Sequence, residues 1–158
     1  MNEKQAILEI LLPEAVLKAT TPEALSAAPP GKIKSGLIRI ESFPYRVGRE
    51  ARVAHVHGEV VGLDRRPKNG HEKPNNDLYL YDSGKILNIS REHFQIEKTP
   101  DGYVLVDRGS ACGTSVNGIP VGGHDAGGSV ALQDGDTIGI GKDSTPFLFT
   151  FFANLRTR

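Results

Sequence analysis

From residue 37 onward the chain is divided into short apolar runs with a period of two, separated by residues that turn the backbone. The runs are Leu37-Ile38-Arg39-Ile40-Glu41, Tyr45-Arg46-Val47, Leu78-Tyr79-Leu80-Tyr81, Phe94-Gln95-Ile96-Glu97, Tyr103-Val104-Leu105-Val106, Val130-Ala131-Leu132, Thr137-Ile138-Gly139-Ile140 and Phe147 to Phe152. In a strand, successive side chains point to opposite faces, so such alternation buries one face of a sheet. The punctuation is chemically explicit. Thr99-Pro100-Asp101-Gly102 presets a turn through proline and ends it on a residue free to take positive φ. Asn117-Gly118 is a strong short hairpin signal, and Asp134-Gly135 adds a further turn. Many short strands punctuated in this way predict an all-β antiparallel sandwich. Of the 18 glycines, 11 lie between Gly102 and Gly141, which implies that one end of the sandwich is nearly all turns.

The first 36 residues read differently. Glu3 to Lys18 is rich in helix formers, and Leu8, Leu11, Leu12, Ala15 and Val16 form an apolar stripe at helical spacing that Pro13 ends or kinks. Thr20-Thr21-Pro22-Glu23 reads as a second helix start, with Thr20 at the cap and Glu23 three residues on. Ala28-Pro29-Pro30-Gly31-Lys32 reads as a linker. The expected organisation is therefore a helical arm with linker over 1–36, a sandwich over 37–152 and a short tail over 153–158. Residues 51–76 form a long insert; because structureless loops of that length are uncommon in compact domains, the insert should carry its own hairpin, with Ala51 to His57 as one strand.

Composition narrows the function classes. The 19 Lys and Arg balance 19 Asp and Glu, leaving no cationic surplus for non-specific nucleic-acid binding. A local excess is hidden by that total: Arg46 to Lys73 holds seven basic and four acidic residues. A single cysteine, Cys112, excludes an internal disulfide framework. No apolar run is long enough to span a membrane, and the start of the chain lacks the basic residues and unbroken apolar stretch of a secretory signal. The expectation is a cytoplasmic protein with no membrane or nucleic-acid partner.

Four pieces carry the chemistry: Tyr45-Arg46-Val47-Gly48-Arg49, Ile89-Ser90-Arg91-Glu92-His93-Phe94, Asp107 to Gly118, and Leu132 to Gly141. A phosphate monoester carries about −1.5 to −2 charges at neutral pH and three acceptor oxygens. Arg49 offers a planar fork of donors that stays protonated, Ser90 a short hydroxyl, and Arg91 a second cation. Taken singly, either arginine reads as ordinary solvated charge. Gly48 allows the backbone to bend and a ligand to approach closely.

In order and spacing the four pieces resemble the forkhead-associated (FHA) domain family over roughly Leu37 to Phe152. The resemblance implies an FHA/SMAD-like β-sandwich of about eleven strands, here with an N-terminal helical arm, whose loops at one end bind phosphothreonine in an extended peptide. By family position Arg49, Ser90 and Arg91 should form the phosphate cradle and Asn117 a further peptide contact, while Gly48, His93, Ser110, Cys112, Gly113 and Thr114 support the site. Asn117-Gly118 is equally accounted for by the hairpin alone. The family histidine is structural, so His93 is expected to tie its loop together and not to act as a catalyst or ligand. The chain departs from the family pattern at Cys112, which stands where the family has an asparagine that grips the peptide main chain.

The leading expectation is thus a non-enzymatic signalling adaptor for threonine-phosphorylated proteins, dependent indirectly on a Ser/Thr kinase and needing no cofactor or metal. The alternative is a scaffold of the same fold that binds without phosphate, for which the exchange at Cys112 is the best support. A remoter alternative is a zinc hydrolase built on His55 and His57, with Asp64 and His71 nearby. Cys112 beside a cationic pocket is a candidate redox sensor, although a lone cysteine more often only fills space. Some family members bind a phosphothreonine of their own N-terminal arm, which makes Thr20 and Thr21 candidates for such a switch; helix capping is the preferred account of both.

Overall fold

The computed structural model describes residues 2–50, 53–56, 59–62 and 74–156. In chain order the elements are α1 (Glu3–Leu11), β1 (Ala15–Ala19), α2 (Pro22–Ala27), β2 (Ile33–Lys34), β3 (Leu37–Ile40), β4 (Tyr45–Arg49), β5 (Val53–Val56), β6 (Glu59–Gly62), β7 (Leu78–Leu80), β8 (Phe94–Thr99), β9 (Gly102–Asp107), β10 (Thr114–Val116), β11 (Ile119–Val121), β12 (Gly128–Leu132), β13 (Thr137–Ile140) and β14 (Leu148–Phe152). Two sheets carry the fold: a seven-stranded sheet in the order β11-β10-β13-β14-β1-β3-β2 and a five-stranded sheet in the order β12-β9-β8-β4-β7. Within the insert, β5 pairs antiparallel with β6, the hairpin expected there. One pair departs from the antiparallel rule, since β4 and β7 run parallel, Val47 opposite Leu78 and Arg49 opposite Leu80.

The period-two runs supply the core. Leu17, Ile38, Ile40, Ile138, Phe149 and Phe151 of the larger sheet join Val47, Leu78, Leu80, Phe94, Ile96 and Leu105 of the smaller in one buried cluster. Burying such aliphatic and aromatic side chains contributes roughly 1.5–3 kcal/mol each relative to exposure.

The N-terminal reading needs correction. The helix stops at Leu11, before Pro13, and the chain then enters β1 instead of continuing a helical stripe. Ala15 and Leu17 are buried, and β1 lies between β14 and β3, with Leu17 opposite both Phe151 and Ile38. Pro13 cannot supply the N–H that a continuing helix needs, and an open edge on β14 was available to pair with. The second helix is capped one residue later than expected: the Thr21 hydroxyl oxygen accepts from Ala24 N–H at 3.2 Å, with Pro22 following it. Thr20 instead faces the sheet, its Oγ1 2.9 Å from that of Thr150. Ala24, Ala27 and Ala28 are buried, so the expected linker begins in the core. Residues 15–19 and 33–34 are thereby strands of the larger sheet and α2 buries Ala24 and Ala27, whereas α1, which precedes them, buries no side chain.

The register separates the two ends of the molecule. Phe94 pairs with Asp107 and Thr99 with Gly102, while Thr114 pairs with Ile140 and Val116 with Ile138. The end of β4, the loop entering β8 and the loop leaving β9 therefore meet at one end. The turns at Asp101, Asn117 and Gly135 lie at the other.

Candidate functional site

Gly48 and Arg49 close β4. The glycine is needed for space, not for its dihedral angles: an added Cβ would overlap the carbonyl oxygen of Arg91 and lie 2.6 Å from Asn76 Nδ2. The close neighbour is thus the protein's own 90–93 loop, where the sequence suggested a ligand. That loop is hydrogen-bonded to the strand it rests on, Arg49 N–H donating to Ser90 O at 2.9 Å and His93 N–H to Val47 O at 3.0 Å. Arg49 Nε donates to Ile89 O at 2.9 Å, which fixes the guanidinium plane beside the loop.

His93 is fully buried and holds two loops together. Ser90 N–H donates to its Nδ1 at 2.9 Å, and its Nε2 lies 2.7 Å from Gly113 O. A carbonyl only accepts, so Nε2 carries the proton and the ring is neutral. Burial, the dominant cause, holds its pKa below the ordinary histidine value, against the opposing effect of the Gly113 hydrogen bond. With both nitrogens occupied, the ring has no free base to offer.

Asp107 organises the neighbouring loop. Its carboxylate, almost fully buried, accepts from Gly109 N–H (3.0 Å), Ser110 N–H (2.8 Å), Ser110 Oγ (2.6 Å) and Thr114 Oγ1 (2.7 Å). Gly113 N–H in turn donates to Ser110 Oγ at 2.9 Å. The loop so shaped presents Ala111 N–H to Ser90 Oγ at 3.0 Å, joining the two loops at the serine.

The electrostatics are lopsided. Arg46 pairs with Asp77, Arg108 with Glu92, Arg39 with Glu41 and Lys98 with Glu14, whereas among the described residues neither Arg49 nor Arg91 meets a carboxylate. The Arg49 pKa is lowered, first by burial and then by the Arg91 charge. Asp82 is near enough to counter this in part, but its oxygens accept from Gly84, Asn88 and Ile89 N–H groups at 2.7–3.2 Å and hold the preceding loop. Two adjacent cations, one half-buried, with no carboxylate paired to either among the described residues and with the Ser90 hydroxyl in the same loop as the second, make a site suited to an anion.

Of the residues singled out in the sequence, the structure brings together Gly48, Arg49, Ser90, Arg91, His93, Ser110, Cys112, Gly113 and Thr114. Asn117 is not with them. It sits at the far tip of the β10–β11 hairpin at φ 53°, its amide donating to Asp136 Oδ1 at 2.8 Å and accepting from Thr137 N–H at 2.9 Å. The Cys112 thiol donates to Leu87 O at 3.4 Å. His57, Asp64 and His71 lie outside the described residues, as does the side chain of His55; among the described residues no cluster of His, Cys, Asp and Glu could hold a metal. No described helix is long and apolar enough to cross a membrane.

Asp82, Asp107, Asn76 and Arg108 were missed as site-building residues. The first two had a local signal, an aspartate two residues before a glycine, which favours carboxylate-to-amide bonds within a turn. Asn76 and Arg108 had none. Asn76, 3% exposed, donates from Nδ2 to Arg91 O at 2.7 Å and accepts from Arg108 Nη1 at 2.6 Å.

This arrangement can be set beside known proteins. The FHA domain family model matches residues 45–141. A curated relative, the oxoglutarate dehydrogenase inhibitor of Corynebacterium jeikeium, is 35% identical over 86 residues, covering 54% of this chain and 53% of that protein, so the chain spans about half the length of the relative it matches. Among solved structures, an FHA domain from Arabidopsis thaliana is 21% identical with a TM-score of 0.49, covering 91% of this chain and 86% of that one. The N-terminal FHA domain of S. cerevisiae Rad53p, solved with a phosphothreonine peptide, is 21% identical with a TM-score of 0.48, covering 89% and 93%. Mycobacterium tuberculosis EmbR, solved with a low-affinity phosphopeptide, is 23% identical with a TM-score of 0.48, covering 89% of this chain and 24% of that one. With the family model spanning the end of β4, both loops of the cationic site and the strands between them, the chain belongs to the FHA domain family.

Proposed function

We propose that the chain binds a threonine-phosphorylated segment of a partner protein at the end of the sandwich where β4 meets the 90–93 and 110–113 loops, acting as an adaptor without catalysis. The observation that carries the reading is the pair of cations, Arg49 and Arg91, lacking carboxylate partners among the described residues beside the Ser90 hydroxyl. Family membership supports a phosphothreonine as the anion. His93, with both nitrogens committed, favours a binding role over a catalytic one. In this reading Arg49, Ser90 and Arg91 contact the phosphate, and Asp107, His93, Ser110, Gly113 and Thr114 shape the loops. The partner is modified by a Ser/Thr kinase, and the name of the corynebacterial relative makes an oxoglutarate dehydrogenase a first partner to assay.

A second reading, binding without phosphate through the same end, is favoured by Cys112, whose thiol is directed to Leu87 O where the family has a main-chain clamp. Titration with matched threonine and phosphothreonine peptide libraries separates the two. Selective binding of the phosphorylated set supports the first, and equal binding of both supports the second. Within the first reading, Arg49→Ala should cost at least about 2 kcal/mol of phosphopeptide affinity, because it removes one member of a hydrogen-bonded charge pair. An unchanged titration curve for that variant would remove Arg49 from the site.

A further inference from the structure

The second cation of the site owes its position to a junction away from the ligand surface. The 90–93 loop is fixed at the serine by His93 and Ala111, yet neither reaches the Arg91 carbonyl. That carbonyl lies over Gly48, where no Cβ intervenes, and accepts from Asn76 Nδ2 at 2.7 Å. Asn76 is itself held: Arg108 donates from Nη1 to Asn76 Oδ1 at 2.6 Å and from Nη2 to Asn75 O at 3.0 Å, with Glu92 Oε2 3.6 Å from Nη2. Tyr79 completes the frame, its hydroxyl accepting from Asn75 N–H (3.1 Å) and Asn76 N–H (3.3 Å) and donating to Asn75 Oδ1 at 2.8 Å. Four chain segments thus converge on one buried amide.

We infer that Asn76 and Arg108 are positioning residues for phosphopeptide binding, setting the Arg91 guanidinium against the phosphate without touching the ligand. The inference rests on the phosphothreonine reading above. Its physical basis is the geometry of the fork. A planar guanidinium satisfies two acceptors at once and fixes the amide plane of Asn76, which leaves Nδ2 aimed at the Arg91 carbonyl. An exposed arginine on an unsecured loop would lose much of its contribution to rotamer and backbone freedom.

The test is a double-mutant cycle on the full chain, with a phosphothreonine peptide selected by the library titration and Kd measured between 50 and 500 mM salt. Asn76→Ala should bind about fivefold to tenfold more weakly, with a shallower salt dependence because one cation no longer meets the phosphate. In an Arg91→Ala background the same substitution should cost nothing further. A merely structural defect would scale Kd equally at every salt concentration and would persist without the Arg91 side chain. If Asn76→Ala folds poorly by thermal melting, Arg108→Lys keeps the charge, loses the two-acceptor fork and should show the same coupling. Full additivity with Arg91→Ala, or an unchanged Kd, overturns the inference. Equal binding of the threonine and phosphothreonine peptide libraries would instead overturn the phosphothreonine reading itself, so the two failures are distinguishable.

Discussion

A methyl group at position 48 would overlap the Arg91 carbonyl oxygen, so Gly48→Ala must push the 90–93 loop off β4. Overpacking of this kind costs roughly 1–3 kcal/mol, and the variant should show that loss in chemical denaturation together with weaker phosphopeptide binding. Asp107 accepts four hydrogen bonds in a nearly dry setting, two of them from backbone N–H groups. Asp107→Asn turns one acceptor oxygen into a donor facing donors and should lower stability by at least about 2 kcal/mol on the same assay. His93 gives a pH signature. Its folded-state pKa is lowered by burial, so the unfolded chain binds the proton more readily and stability falls as pH drops below the unfolded value of about 6.5. Denaturation midpoints between pH 7.5 and 5 should decline in the native chain, and His93→Gln should lose that component of the slope. At this scale Gly48, Arg49 and Ser90 were legible as candidates because their chemistry is local and their spacing is specific, and the fold brings the three together. Asn76 and Arg108 are separated by three strands, β7, β8 and β9, so no short window of sequence contains their contact.

Among the elements, β1 shows how a tertiary opportunity overrides a local pattern. Ala15 and Val16 extend the helical stripe of Leu8, Leu11 and Leu12 in sequence, yet both are buried in a strand between β14 and β3. Among the described residues, the helix before it is hydrogen-bonded to the rest of the fold at its end, by Arg39 Nη2 to Leu11 O (3.0 Å) and Arg156 Nε to Leu12 O (2.8 Å). Two truncations should therefore differ sharply. Removing residues 1–12 should shift Tm by only a few degrees, whereas removing residues 1–20 should abolish cooperative melting, because it opens the seven-stranded sheet at its middle. Circular dichroism melts of the two chains decide this. The hairpin signals, in contrast, are legible because two adjacent residues suffice: Asn117 and Gly118 take φ of 53° and 82° and turn β10 into β11.

Across the whole molecule, charge of 19 against 19 conceals an uneven arrangement: among the described residues Arg39, Arg46, Lys98 and Arg108 are paired with carboxylates, whereas Arg49 and Arg91 stand next to each other and are not. Saturating phosphothreonine peptide should raise Tm, by linkage worth about 2.7 kcal/mol at a hundredfold excess over Kd, and the unphosphorylated peptide should not. Raising ionic strength from 50 to 500 mM should shrink that shift, since the contact joins cations to a dianion. The peptide-dependent Tm shift measured at both salts checks both statements. The sequence by itself determined the sandwich class, most of its strands, its turns and the short pieces that carry the family's site, because alternation, turn chemistry and motif spacing are properties of neighbouring residues. Only the tertiary structure decided that residues 15–19 complete a sheet, that Asn117 lies at the far end from the cations, and that Asn76 and Arg108 stand behind Arg91. These depend on which distant backbone edges and buried amides remain to be satisfied once the core has closed, and that condition exists only in the folded chain.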